Sequence, residues 1–307
     1  MSRFYALAFC GLSALGCAAP ARSSAPPTPR EAEPGLPADL DVAIRVDIAR
    51  LASELGGSLA EQLVVDLLVS DGDSVAAALV KDAVARSELL WLGFRAGLDL
   101  HAADKVLIFR GRFGDFEARL RDSAFSWSES GTEWPHFERL GPAPGSFERV
   151  YPLRDRVLVL ATRGETPVLE PSFEQPTPSA SLRPPDRGTV SAAARAEELR
   201  RTQLRAYPTL AEQFSGAEEV TGYAEPRSTN LDLALDIAFA QAEQARSGGD
   251  ALEALSSRVA QNPCVLGSVA RTARVSVFER SLRVSAEMPE PLVNALKACV
   301  LGGNCCA

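Results

Sequence analysis

Leu40-Asp41-Val42-Ala43-Ile44 and Leu231-Asp232-Leu233-Ala234-Leu235, 191 positions apart, decide the fold between them. In the first, Val42, Ile44, Val46 and Ile48 alternate with Ala43, Arg45 and Asp47, the period of two that marks a strand with one buried face. Gly56-Gly57-Ser58, with Glu61 and Leu63, comes next; Gly248-Gly249-Asp250, with Glu253 and Leu255, stands in the corresponding place at an offset of 192. Val84-Ala85-Arg86-Ser87 returns as Val269-Ala270-Arg271-Thr272 at an offset of 185, ahead of a strand both times. Three short matches in one order imply an internal duplication, the second copy having lost part of its helical section.

Each copy reads as strand, two helices, strand, strand, helix. After the first strand, Leu51, Leu55, Leu59, Leu63 and Leu67 recur every four residues and share one helical stripe. Gly56-Gly57 interrupts that stripe, and Ser58 with Glu61 reads as a capping box that restarts it. Gly248-Gly249 with Asp250 reads as the same break in the second copy. A helix then runs to Ala85, and the hairpins are Leu89 to Phe94 with Val106 to Phe109, and Val275 to Phe278 with Leu282 to Ala286. Closing helices are expected from Asp115 to Arg121 and from Leu292 to Cys299. Between the copies, Trp134 to Leu140, Phe147 to Leu153, Arg156 to Ala161, Thr189 to Ala194 and Glu219 to Ala224 read as strands, and Glu197 to Ala206 as a helix.

A unit with one apolar sheet face cannot bury it alone. The expected class is therefore α+β: a largely antiparallel sheet with helices on one face, built from two related β-α-α-β-β-α units plus central strands. The first unit, with a β-rich extension, spans residues 38–165. A Pro-rich connector occupies 166–186, and the second unit, with a Cys-rich tail, spans 187–307.

The amino end carries an address. Arg3 precedes an apolar run from Phe4 to Leu12, and Ala14-Leu15-Gly16-Cys17 lies just beyond it. A positive start, a short apolar run and small residues at the cut form a secretory signal peptide, expected over residues 1–16. The run is too short for a spanning helix. The residues before Cys17 resemble a bacterial lipobox, although Ala14 stands where that motif more often has Leu. On this resemblance Cys17 is the acylated, palmitate-bearing first residue of the mature chain; ordinary cleavage after Ala19-Pro20-Ala21 would discard it instead. Residues 17–37, rich in Pro, Ala and Ser, read as a tether.

Signal, tether and repeated strand-helix-hairpin units together resemble the uncharacterised lipoproteins of GC-rich Gram-negative bacteria. The resemblance implies export and a membrane attachment through the N-terminal lipid, and it brings no catalytic residues. Ala18 after Cys17, where Asp would argue for inner-membrane retention, implies the outer membrane.

A formal charge of −8, with 46% hydrophobic and 23% charged residues, fits a globular chain and gives nucleic acid no basic surface to bind. Beyond Cys10 and Cys17, the cysteines are Cys264, Cys299, Cys305 and Cys306. An even set in an exported chain reads as disulfides, with Cys305 and Cys306 reaching back to Cys264 and Cys299. A zinc site lacks its usual paired ligand spacing here.

Little in the sequence speaks for chemistry. The histidines are His101, in a polar turn, and His136, on a strand and read as structural. No nucleophile elbow, metalloprotease helix, phosphate loop or dinucleotide fingerprint is present, and no cofactor or metal is expected. Asp71-Gly72-Asp73 resembles a fragment of a calcium loop but lacks the later ligands, and reads as a loop with a helix cap. Phe113, Phe116, Phe125, Trp127, Trp134 and Phe137 read as core rather than as an exposed groove. The expected function is a membrane-anchored, non-enzymatic binding or structural module with a protein partner in the envelope. The alternatives are a carrier of a hydrophobic ligand such as a lipid, and a hydrolase whose site no motif reveals.

Overall fold

Val42–Asp47 forms β1, and Asp47 both ends the strand and caps the helix after it. Its Oδ1 accepts from the Arg50 N–H at 2.9 Å, so α1 (Ile48–Leu55) begins with no intervening loop. The computed structural model describes residues 36–37, 39–69, 73–95, 103–121, 127–131, 134–139, 146–153, 155–162, 182–202, 208–227 and 230–295. The chain divides between Leu182 and Arg183 into two compact units.

In the first unit Gly56, at φ +85°, turns the chain from α1 into α2 (Gly57–Leu68). That backbone angle suits glycine because it carries no Cβ. Among the described residues no side chain caps α2; Ser58 lies inside the helix, not at its cap as expected. The described buried row of α2 is Ala60, Val64 and Leu68, one position off the predicted leucine stripe. Leu51 of that stripe is half-buried; the side chains of Leu55, Leu59, Leu63 and Leu67 lie outside the described residues. α3 (Ser74–Ala85) is capped by Asp73, as its sequence implied, with Oδ1 accepting from the Ala76 N–H at 3.0 Å. Arg139 donates to both oxygens of the same carboxylate, at 2.8 and 3.1 Å.

The remaining elements are β2 (Ser87–Phe94), β3 (Lys105–Gly111), α4 (Phe116–Arg121), β4 (Ser128–Ser130), β5 (His136–Glu138), β6 (Phe147–Leu153) and β7 (Val157–Thr162). Strand order in this unit is β1-β2-β3-β7-β6-β5-β4, every neighbour antiparallel. All six residues of β7 are buried. Its Leu158 and Leu160 align with Phe109 and Leu107; its Val157, Val159 and Ala161 point the other way, with Ile108, Val106 and Tyr151. The second face is closed by Leu36, Leu40, Leu182 and Trp134, a cluster with no helical residue among the described residues. Both faces are therefore core, where one was expected. Leu36 and Pro37, read as the end of the tether, are buried.

The second unit contains β8 (Val190–Arg195), α5 (Ala196–Thr202), α6 (Pro208–Gln213), β9 (Ala217–Arg227), β10 (Asn230–Phe239), α7 (Ala242–Ala260), α8 (Val265–Thr272), β11 (Arg274–Phe278) and β12 (Ser281–Pro289). Residues 290–295 are helical, and the rest of the expected closing helix lies outside the described residues. Strand order is β11-β12-β10-β9-β8, again antiparallel throughout. Phe239, Ile237 and Leu282 pack with Phe214 and Ala245 beneath α7.

Gly248 and Gly249 do not break α7, which runs unbroken for 19 residues. Both are buried because the helix lies close on the sheet: a Cβ at Gly248 would stand 2.9 Å from the Phe239 ring, and one at Gly249 2.7 Å from Val277. Asp250 is correspondingly a mid-helix residue rather than a cap. The expected superposition of the copies fails twice: the first unit has three helices between its first strand and its hairpin, α1, α2 and α3, where the second has two, α7 and α8, and the strands pair differently. In the first unit the strand after the helices, β2, lies beside β1; in the second, β12 lies between β10 and β11. The observed class is α+β with antiparallel sheet.

Candidate functional site

Alternation along β10 sets Leu231, Leu233, Leu235 and Ile237 toward the helices of the second unit, and Asp232, Ala234 and Asp236 away from them. Register extends the second set across the neighbouring strands. Tyr223 of β9 lies opposite Ala234, Ser191 of β8 lies opposite Tyr223, and Arg283 of β12 lies opposite Asp236. Thr189 comes two residues before Ser191, just outside β8, its N–H bonded to the Ala224 carbonyl at 2.7 Å. This face is polar, yet Thr189, Ser191, Tyr223 and Asp232 are all buried.

Its hydroxyls are unsatisfied. Thr189 Oγ1, Ser191 Oγ and Tyr223 Oη are each buried with no hydrogen-bond partner among the described residues. Leaving such a group unpaired costs on the order of 1–3 kcal/mol, so a cluster of three calls for an explanation. The charged neighbours, by contrast, are paired. Arg283 holds Asp236 through two parallel bonds, Nε to Oδ1 at 2.7 Å and Nη2 to Oδ2 at 2.9 Å. The Arg187 guanidinium sits 4.2 Å from the centre of the Tyr223 ring, a cation over the negative face of an aromatic.

Two groups on this face titrate abnormally. Burial pushes the Tyr223 phenol up, against the pull of Arg187 and Arg283. Burial likewise raises the Glu219 carboxyl, and its cross-strand neighbour Arg195 only partly offsets it. The arrangement offers hydroxyl donors and acceptors, one exposed-margin ion pair and an aromatic ring. It places no base beside a hydroxyl nucleophile among the hydrogen bonds described.

His136 is buried in the first unit, in keeping with a structural role. Nδ1 lies 2.8 Å from the Trp134 carbonyl oxygen and Nε2 3.1 Å from Glu138, with the ring tilted over Tyr151. The His136 bond, with help from Arg149, holds the Glu138 carboxyl below its ordinary range despite some burial. Phe113, Phe116 and Phe137 are core residues, and Trp134 packs against the core. Cys264 is the N-cap of α8, its Sγ accepting from the Gly267 N–H at 3.4 Å. Cys17, His101, Phe125, Cys299, Cys305 and Cys306 lie outside the described residues. Among the described residues no group of His, Cys, Asp or Glu is arranged to hold a metal, and no helix is long and apolar enough to cross a membrane.

The polar face has almost no signature in the sequence. Its one trace is the alternation Leu231-Asp232-Leu233-Ala234-Leu235-Asp236, which locates the strand but gives no reason to bury its acidic side. Nothing local distinguishes Ser191 or Tyr223.

The fold defines an α+β protein with antiparallel sheet. Among solved structures the chain is similar to TP0453, a Treponema protein, in its crystal form I: TM-score 0.52, 15% identity, covering 85% of this chain and 94% of that one. Crystal form III of the same protein gives a TM-score of 0.49 at 14% identity, over 84% and 94% of the two chains. At such identity the likeness concerns the fold alone. No family model matches the chain, and no curated protein does.

Proposed function

We propose that the protein is an exported lipoprotein, anchored in the outer membrane through lipid on Cys17, that works as a non-enzymatic binding module. The observation that supports binding is the buried hydroxyls of Ser191 and Tyr223 on one sheet face, and of Thr189 just before it, which have no hydrogen-bond partner among the described residues. Hydroxyls both donate and accept, so the partner group this face suits is itself polar, such as a backbone amide or side-chain carboxamide of an envelope protein. The Arg283–Asp236 pair, with both side chains about a third exposed, lies at the margin where a partner first arrives.

The anchor rests on the lipobox-like residues before Cys17. For the tail, the proposed bonds join Cys305 and Cys306 to Cys264 and Cys299, tying the C-terminus to the N-cap of α8.

Mass spectrometry of the membrane-extracted protein tests the anchor: the expected mature chain begins at Cys17 and carries acyl groups. A lipid-free chain beginning after Ala21 overturns it. Photocrosslinking in cells from Thr221, on the polar face, tests the binding role. The expected result is an envelope protein adduct that Ser191→Ala with Tyr223→Phe weakens. A lipid retained in stoichiometric amount, with no protein adduct, would replace this reading by that of a hydrophobic carrier.

A further inference from the structure

The large apolar side chains exposed among the described residues are Leu255, Val277 and Phe278, and all three belong to α7 and β11, which pack together. β11 ends the strand order of the second unit. It has β12 on one side and no strand on the other among the described residues. Its sequence is Arg-Val-Ser-Val-Phe, β-branched and aromatic, with one charge and no proline. Natural outer strands are usually blunted by shortness, charge or bulges. β4, which ends the order of the first unit, obeys that rule: it is three residues long, reads Ser-Glu-Ser, and has its Glu129 tied to Arg121. β11 is longer, confines its one charge to its first residue, and pairs with β12 without a bulge.

We infer that β11 pairs with β11 of a second copy of this chain, antiparallel about a two-fold axis at Ser276. The register of the hairpin fixes that axis. Phe278 pairs with Ser281 across a two-residue loop, so Phe278, Ser276 and Arg274 exchange their backbone bonds with β12. The N–H and C=O groups of Val275 and Val277 therefore point outward. An axis at Ser276 sets Val275 of one copy opposite Val277 of the other, and the four outward groups of each strand find partners in that single register.

The side chains agree with it. Arg274, Ser276 and Phe278 share one side of β11; Val275 and Val277 share the other, where Val277 reaches Gly249 of α7. The same axis lays Arg274 across from the second copy's Phe278, which is 61% exposed and offers a cation a free aromatic face. The two valines meet their counterparts and continue the apolar layer beneath α7 from one copy into the next. No like charges face each other. An isologous contact of this kind closes on itself and leaves no further strand to extend.

A five-residue ladder is a small interface, so the association is weak, with a Kd on the order of 10–100 µM. Sedimentation velocity of the full chain, freed of lipid by Cys17→Ser, is expected to show a monomer–dimer equilibrium in that range. Phe278→Lys, which sets a cation against Arg274, should raise the Kd at least about tenfold, while Phe278→Glu should keep or strengthen the dimer. Both changes are at an exposed site, and circular dichroism verifies folding. Ser276→Cys lies at a non-hydrogen-bonded pair on the axis, where a Cα separation of about 4.5 Å allows a disulfide between copies under mild oxidation. Ser58→Cys, exposed on α2, is the control that should not crosslink. A chain that stays monomeric at about 200 µM and gives no crosslink from Ser276→Cys overturns the inference. A dimer indifferent to Phe278→Lys overturns it equally, because it would then form elsewhere.

Discussion

The sheets of the two units differ in the face turned away from their main helices. In the first unit that face is Ala43, Val106, Ile108, Val159, Ala161 and Tyr151, closed by Leu36, Leu40 and Leu182 into a second apolar core. In the second unit the equivalent surface is Ser191, Tyr223, Asp232, Asp236 and Arg283. Two antiparallel sheets of one chain thus serve different ends. The first unit buries mainly apolar side chains on both faces; the second buries them on one and keeps hydroxyls and an ion pair on the other. Antiparallel pairing in both does not imply a similar distribution of free energy.

Substitution at matching depth should expose the contrast. Val159→Asp places an unpaired charge in the second core of the first unit and should cost about 4 kcal/mol or leave the unit unfolded, read by urea denaturation. If Val159→Asp costs less than about 1 kcal/mol, the face is not core.

The glycine pairs come next in size. Gly249→Val meets Val277 and Leu282 and should destabilise by about 1–3 kcal/mol through overpacking. Gly57→Ala meets nothing within 4 Å and should stabilise by about 0.5–1 kcal/mol, by narrowing the unfolded ensemble. Equal effects at the two sites would contradict the different roles given to the pairs. Tyr223→Phe removes a buried hydroxyl that has no partner among the described residues, so its effect should lie between neutral and a gain of about 1 kcal/mol. A loss above about 1 kcal/mol would mean that the hydroxyl is already satisfied.

The smallest effect concerns pH. Glu138 has its folded pKa held below the unfolded value, so its contribution is present above the ordinary carboxylate range and fades as pH falls through the lowered value. Glu219 has the opposite sign: its raised carboxyl favours folding more at acid pH and less as pH rises. Glu138→Gln should therefore flatten the acid limb of a stability–pH curve, and Glu219→Gln should raise stability near neutrality. Measuring both by thermal melts between acid and neutral pH tests the pair of signs.

Much of this architecture is legible in the sequence. Alternation from Val42 to Ile48 locates β1, and the runs Val106 to Phe109 and Val157 to Ala161 locate β3 and β7. Those runs are apolar at every position, which is the mark of burial on both faces, and that part of the signal is present in the chain itself. The role of Gly248-Gly249 is not. A glycine pair that breaks a helix and one that lets it approach a sheet look alike locally; the difference lies in Phe239 and Val277, contributed by strands on either side in the chain. The polar face depends in the same way on register between β8, β9 and β10, which no single segment encodes.

The placement of β12 between β10 and β11 also has a consequence for the order of assembly. β10 pairs with β9, its neighbour in the chain, and can do so early, whereas its other side waits for residues 281–289. A chain delivered from its amino end carries β10 half-paired until almost all of it has arrived. The β11–β12 hairpin, closed by two residues, forms on the microsecond scale once it emerges and then docks as a finished piece. Truncation before residue 274 would leave the Leu231 to Phe239 strand permanently open on one side, so nascent or clipped forms of this protein are its aggregation-prone species.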